Sequence, residues 1–167
     1  MTESEWHFRR ATVADLDSIM LLESSIFEND AWSAESMRGE LLNRHCYYLV
    51  AFRAETPNRI DGYAGLLAPS RSKDADVQTI AVAPASRRNG LGRALVENLV
   101  AEAQARGAAE VFLEVRADNP GAQSLYRGLG FTELGIRPKY YQPDNVDAVM
   151  MRLSLPAISV GAGESTR

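Results

Sequence analysis

Residues 76–116, DVQTIAVAPASRRNGLGRALVENLVAEAQARGAAEVFLEVR, decide the fold of this 167-residue chain. Asp76 to Val82 reads as a strand, stopped by Ala83-Pro84. From Gly90 to Arg106, Leu91, Leu95, Leu99 and Ala103 recur as one stripe with Val96 and Val100 beside it, the pattern of an amphipathic helix. Gly107 ends that helix well, because glycine tolerates the left-handed conformation past a helix terminus. Glu110 to Arg116 then returns to a strand pattern. Strand, helix and strand in immediate succession predict a right-handed parallel crossover, so the chain is of the α/β class.

Upstream, Trp6 to Ala11 reads as a short strand, and Asp15 to Phe27 places Leu16, Ile19, Met20, Leu22 and Glu23 at helical spacing. A second helix starts after Ser33, a good N-cap, and ends near Asn43. Cys46 to Arg53 is rich in Tyr, Val and Phe and pairs, across a turn at Thr56-Pro-Asn-Arg59, with Ile60 to Ala68. Pro69 to Ala75 reads as a polar loop, and the Asp74 and Asp76 pair as solvated. Downstream, Pro120 to Leu129 is a short helix, and Phe131 to Ile136 and Ala148 to Leu155 are closing strands. The expected order is β-α-α-β-β-β-α-β-α-β-β: a mixed central sheet with helices on both faces. Residues 1–155 form one domain, and residues 156–167 are expected to be a disordered tail.

A chain of this length buries a substantial core. Its net charge of -4 argues against a dedicated nucleic-acid binder, although Arg87–Arg93 is a local basic cluster. The single cysteine, Cys46, sits in the apolar run Cys-Tyr-Tyr-Leu-Val-Ala-Phe52 and reads as a buried structural thiol. No metal-ligand spacing surrounds it, Asp74 and Asp76 lack enough spaced partners for calcium, and no metal is expected. The acidic start Met-Thr-Glu-Ser-Glu5 is no signal peptide, and no apolar run approaches a membrane span, so a cytoplasmic protein without membrane contact is expected. No repeat or heptad sets an oligomeric state.

The connection from Ile80-Ala-Val82 to Gly90-Leu-Gly92 is a strand-loop-helix anion site. The first amides of a helix lack intrahelical partners, and the helix dipole favours negative charge there. Gly90 and Gly92 let a pyrophosphate approach the backbone, and Arg87, Arg88 and Arg93 surround it with positive charge. A dinucleotide fingerprint would need a third glycine where Leu95 stands, and the Gly-Lys-Ser/Thr of a nucleotide P-loop is absent. A base, Glu114, and an acid, Tyr126, follow this turn, and the set points to group transfer from a phosphate-bearing cofactor.

Arg87-Arg-Asn-Gly-Leu-Gly92 is similar to the acetyl-coenzyme A signature Arg/Gln-x-x-Gly-x-Gly/Ala of the GCN5-related N-acetyltransferase superfamily. Phe112-Leu-Glu-Val-Arg-Ala-Asp-Asn119, Ala122-Gln-Ser-Leu-Tyr-Arg-Gly-Leu-Gly-Phe131 and Arg137-Pro-Lys-Tyr-Tyr141 resemble its bacterial ribosomal-protein-alanine N-acetyltransferases. The likeness spans Trp6 to Leu155, with Ala31-Trp-Ser33 the best local echo in the N-terminal third. It implies acetyl-CoA as co-substrate and a protein or peptide N-terminus as acceptor, the alanine terminus of a small-subunit ribosomal protein in particular. It further implies that Ile80, Ala81 and Val82 offer backbone groups to the acetyl and pantetheine portion. Arg88, Asn89, Gly90, Leu91, Gly92 and Arg93, with Arg87 at their head, would hold the pyrophosphate. Asn119 would contact coenzyme A, Glu114 would act as general base, Tyr126 as general acid, and Tyr140 and Tyr141 would lie against the acceptor peptide.

Each residue also has a structural reading. Glu114 alternates with Leu113 and Val115, so it projects with Phe112 to the opposite strand face, where it serves as a base or pairs with Arg116 or another arginine. Tyr126 either donates a proton to the departing thiolate or packs against Phe131. Asn119 precedes Pro120 and is an excellent N-cap, which competes with a cofactor contact. Tyr140 and Tyr141, between Pro138 and Pro143, are expected on a loop rim; Trp32 either lines the same groove or plugs the core and is assigned to the core, and His7 and His45 lie far from the motifs. An α-amine, with a pKa of roughly 7.7–8.0 against roughly 10.4 for lysine, suits a single carboxylate base near neutrality. Lysine or a small amine as acceptor, and a coenzyme A-binding module without catalysis, stand as alternatives.

Overall fold

The computed structural model describes residues 6–27 and 30–156. The acidic start and nearly all of the expected tail lie outside them. Strands β1 (His7–Arg10), β2 (Cys46–Arg53), β3 (Thr56–Leu67), β4 (Asp74–Val82), β5 (Glu110–Arg116), β6 (Thr132–Tyr141) and β7 (Val146–Ser154) form one sheet, ordered β1-β2-β3-β4-β5-β7-β6. Helices α1 (Leu16–Ile26), α2 (Ala34–Leu42), α3 (Leu91–Ala105) and α4 (Pro120–Gly128) complete the expected order of elements.

Alternation along the strands sends side chains to two cores. From β2, Leu49 and Ala51 join Leu91, Leu95, Val96 and Leu99 of α3, together with Tyr126 and Phe131. Cys46, Tyr48 and Val50 face the other way, onto Ile19 and Leu22 of α1 and Met37 of α2. Helices therefore cover both faces, as a sheet buried on both sides requires. Ser33 caps α2 by accepting from the Ser36 amide at 3.0 Å. Gly65 permits the ring of Tyr48 to cross β3, since a Cβ there would stand 2.2 Å from that ring.

Every strand pair is antiparallel except β4 with β5, whose parallel ladder covers only Asp74, Ala75 and Asp76 against Glu110, Val111 and Phe112. Beyond Asp76, β4 keeps its pairing with β3 through Val82 while β5 pairs with β7, so a wedge opens between them.

Three expectations are corrected. The β2–β3 turn falls at residues 54–55, and Thr56 already pairs with Arg53. Asp74 and Ala75 are ladder residues of β4, not loop, because their backbones pair with β5 while the Asp74 side chain stays exposed. Tyr140 and Tyr141 belong to β6, not a loop rim. An irregularity at Pro138–Lys139 absorbs the break, Lys139 takes φ +53°, and its amide donates to Asp147 at 2.8 Å before Tyr141 pairs with Val146. No helix among the described residues is long and apolar enough to cross a membrane.

Candidate active site

The turn entering α3 is shaped for an anion by its backbone. Arg88 (φ +66°) and Gly90 (φ +88°) are left-handed, and alternation of this kind turns successive amides inward as a nest. Gly90 is the N-cap and supplies no side-chain cap, the first turn carries no acidic residue, and the first helical bond runs from the Ala94 amide to the Gly90 carbonyl at 3.0 Å. The amides of Leu91, Gly92 and Arg93 are thus left to an external acceptor. Arg87 donates through Nε to the Val82 carbonyl at 3.1 Å, tying the turn to the end of β4. Arg88 and Asn89 are exposed, while Arg93 points along the helix to Glu97 at 3.2 Å.

The wedge opens from Asp76 toward this turn, with Ile80, Ala81 and Val82 along its β4 side. At its other side, β5 buries Val111, Leu113 and Val115 and presents Phe112, Glu114 and Arg116 to the opposite face, the alternation read from sequence. Glu114 opens into a cavity of about 430 Å³ shared with Trp32, Asp76, Gln78, Arg137 and Tyr140. Its Oε2 lies 3.4 Å from Nε of Arg137, so the arginine beside it is Arg137 and not Arg116. The Tyr140 hydroxyl lies against the same carboxylate, and that contact is the main cause holding its phenol above the ordinary value. Arg137 also covers the Tyr140 ring, 5.6 Å from its centroid. Asp76 is held above the usual carboxylate range by burial, then by the charges of Asp74 and Glu114.

Tyr126 is buried, with its ring 6.0 Å from that of Phe131 at an edge-on angle of 62°. Both of its sequence-derived roles meet one environment: the ring packs in the core, and burial pushes the phenol up to about 12. Tyr141 is pushed up first by burial and then by the charges of Glu114, Tyr140 and Tyr126. Asn119 caps α4, its Oδ1 accepting from the Ala122 amide at 3.1 Å. That oxygen is committed to the fold, and only the amide NH2 of Asn119 is left to turn outward.

The groove has two lips. On one, Trp32 lines the cavity as well as touching the α1–α2 core, which corrects its assignment to the core alone. It is set there by the buried Glu23, which accepts from the Trp32 amide at 2.9 Å and from the Tyr63 hydroxyl. On the other lip, the Tyr140 and Tyr141 rings stand perpendicular with centroids 5.1 Å apart. Sequence reasoning missed Arg137, Glu23 and Asp76 here. A glutamate among the core-facing residues of α1 was the visible signal for Glu23, since buried carboxylates need partners. His7 and His45 are absent from the groove lining.

The acetyltransferase (GNAT) family model matches residues 13–131. An uncharacterized Mycobacterium leprae protein is 41% identical over 144 residues, which cover 84% of this chain and 38% of that protein's length. The Mycobacterium tuberculosis N-alpha-acetyltransferase RimI is 38% identical over 144 residues, covering 84% of this chain and 87% of the relative. Among solved structures, the Escherichia coli ribosomal-protein-S18-alanine N-acetyltransferase superposes with a TM-score of 0.80 at 30% identity, covering 92% of this chain and 96% of that one.

Proposed function

The chain belongs to the acetyltransferase (GNAT) family, and from that premise we propose that it moves acetyl from acetyl-CoA to the α-amine of a protein N-terminus. The observation that carries this reading is the meeting of Glu114 with Arg137 and Tyr140 in one groove beside the β4–β5 wedge. The pyrophosphate lies against the Arg88–Arg93 amides with Arg87 beside them, and the pantetheine follows the β4 edge past Ile80, Ala81 and Val82. The Asn119 amide meets coenzyme A at the wedge's far side. The acetyl carbonyl then reaches Glu114.

The neutral α-amine attacks the thioester carbon, forming the C–N bond. Glu114, directly or through water, takes the proton that the nitrogen sheds, and backbone amides at the end of β4 face the developing oxyanion. Collapse breaks the C–S bond, and the departing thiolate takes its proton from Tyr126, whose raised phenol stays protonated at neutral pH. Tyr140 and Tyr141 supply flat amphipathic surfaces for the peptide backbone. The acceptor that best fits is an alanine N-terminus of a small-subunit ribosomal protein, the class that the name of the E. coli structure gives for that enzyme. The reaction belongs to the cytoplasm, where nascent and ribosomal N-termini are found.

Incubation with acetyl-CoA and short peptides, some with blocked N-termini and free lysines, followed by mass-spectrometric location of the acetyl group, tests this reading. Acetyl on the α-amine of Ala-initiated peptides is expected. Transfer to free small amines, with none to any peptide, overturns it.

A further inference from the structure

Arg116 ends β5 two residues after Glu114, on the same strand face. Its guanidinium meets three carboxylates from three separate segments. Nη1 donates to Asp30 Oδ2 at 2.8 Å, Nε to Asp118 Oδ1 at 3.0 Å, and Nη2 to Asp144 Oδ2 at 3.2 Å. Cζ lies 5.4 Å from the Tyr141 ring centroid, and the Arg116 carbonyl accepts from Gln123 of α4 at 3.1 Å.

Two of these carboxylates belong to opposite lips of the groove. Asp30 precedes Trp32 in the α1–α2 connection, and Asp144 follows Tyr141 in the β6–β7 turn. The side chains of Arg116 and Asp30 are only 25% and 23% exposed, so this arm is less screened than a surface pair. Asp30 Oδ1 is buried without a hydrogen-bond partner among the described residues, which leaves Arg116 as the group holding that carboxylate. A planar five-donor fork can serve three acceptors and an aromatic face together; an ammonium cannot. Without the guanidinium, three carboxylates would face one another across the groove mouth.

We propose that Arg116 is a positioning residue for the acceptor peptide, fixing the separation of the Trp32 lip from the Tyr141 lip and thereby setting affinity for the peptide but not for acetyl-CoA. The inference rests on the N-terminal acetyltransferase reading.

Steady-state kinetics with the full chain, varying peptide and acetyl-CoA separately, tests it in wild type, Arg116→Gln, Arg116→Lys, Asp144→Asn and the Arg116→Gln/Asp144→Asn double variant. Loss of the whole tie raises the peptide KM roughly tenfold in Arg116→Gln, and loss of one arm about threefold in Asp144→Asn. Arg116→Lys falls between them, acetyl-CoA KM stays at the wild-type value in all, and the double variant is no worse than Arg116→Gln, as residues acting through one network require. A shift of acetyl-CoA KM equal to that of peptide KM, or multiplying effects in the double variant, makes Arg116 a general structural element and overturns the proposal. If circular dichroism shows Arg116→Gln unfolded, Asp144→Asn, at an exposed turn, decides alone by the same selective rise. A wild type inert on every peptide α-amine overturns the functional reading and this inference with it. A wild type active on such peptides, with peptide KM unmoved by either substitution, overturns this inference alone.

Discussion

The proposed anion turn and the proposed acceptor groove are built from different material. The turn is backbone: two left-handed residues, an N-cap without a side-chain cap and amides free of partners. Its arginines are exposed or engaged along the chain, at Val82 and Glu97. The groove is made of side chains set against side chains, with Arg137 on Glu114, Glu23 under Trp32 and Tyr140 against Tyr141. A site of the first kind tolerates side-chain truncation and is sensitive to backbone change. The second kind has the opposite sensitivity.

The largest separation of the two regions is expected from Glu114→Gln. Loss of a positioned base lowers kcat by roughly 10²–10⁴. Acetyl-CoA affinity, measured by calorimetry, should not change, because the turn lies on another element. Turnover retained in this variant would remove Glu114 as the base.

Tyr126→Phe follows, with a kcat loss near the lower end of that range, about 10². The hydroxyl is removed while the ring keeps its packing on Phe131. Its pH behaviour sharpens the point. Burial lifts the phenol to about 12, so wild-type activity should climb as the α-amine loses its proton near roughly 8 and show no falling limb from Tyr126 below about pH 10. Since the folded value lies above the unfolded one, Tyr126 contributes stability that is complete below about pH 10 and is lost as pH rises toward 12. The urea midpoint of wild type should fall relative to that of Tyr126→Phe over that interval.

Gly90→Ala probes the backbone-built side. At φ +88° an L-residue is strained, which costs about 1 kcal/mol and lowers the melting temperature by roughly 2–4 °C. A Cβ there meets nothing within 4 Å in the free protein. Any rise in acetyl-CoA KM beyond that strain therefore reports contact with the cofactor, and peptide KM should not follow it. The smallest effect is expected at Cys46, which is buried and lifted to about 12 by burial and then by Glu40. Alkylation of the native protein at pH 8 should be slower than that of the urea-unfolded chain by roughly a hundredfold or more. Rapid native labelling would show that the α2–β2 region opens.

How much of this was legible in the sequence divides along the same line. The apolar stripe of α3, the Gly107 stop and the alternation of β5 are local signals, and each became the expected element. The family resemblance, carried by local motifs, is borne out by the match over residues 13–131. The partner of Glu114 had no local signal. It arises from two successive antiparallel registers, Glu114 with Met150 and Met150 with Gly135, which bring β6 and Arg137 over β5. Pro138 read as the end of a strand because proline cannot donate to a ladder; an irregularity of one or two residues accommodates it and lets pairing resume at Tyr141. Asp74 was misassigned because charge was taken as a loop signal, whereas a strand start with one solvent-facing side accepts it.

The short seam between β4 and β5 also has a mechanical consequence. Three residue pairs join a four-strand leaf, β1 to β4, to a three-strand leaf, β5, β7 and β6. The sheet is continuous in order but stitched at its middle by three residue pairs, so a hinge about residues 74–76 is the expected collective motion. A ligand lying in the wedge would act as the missing stretch of ladder. Saturation would then stiffen the whole sheet, slowing amide hydrogen exchange on both leaves and raising the unfolding free energy in proportion to the logarithm of ligand concentration. Cofactor occupancy would then be part of how the sheet holds together.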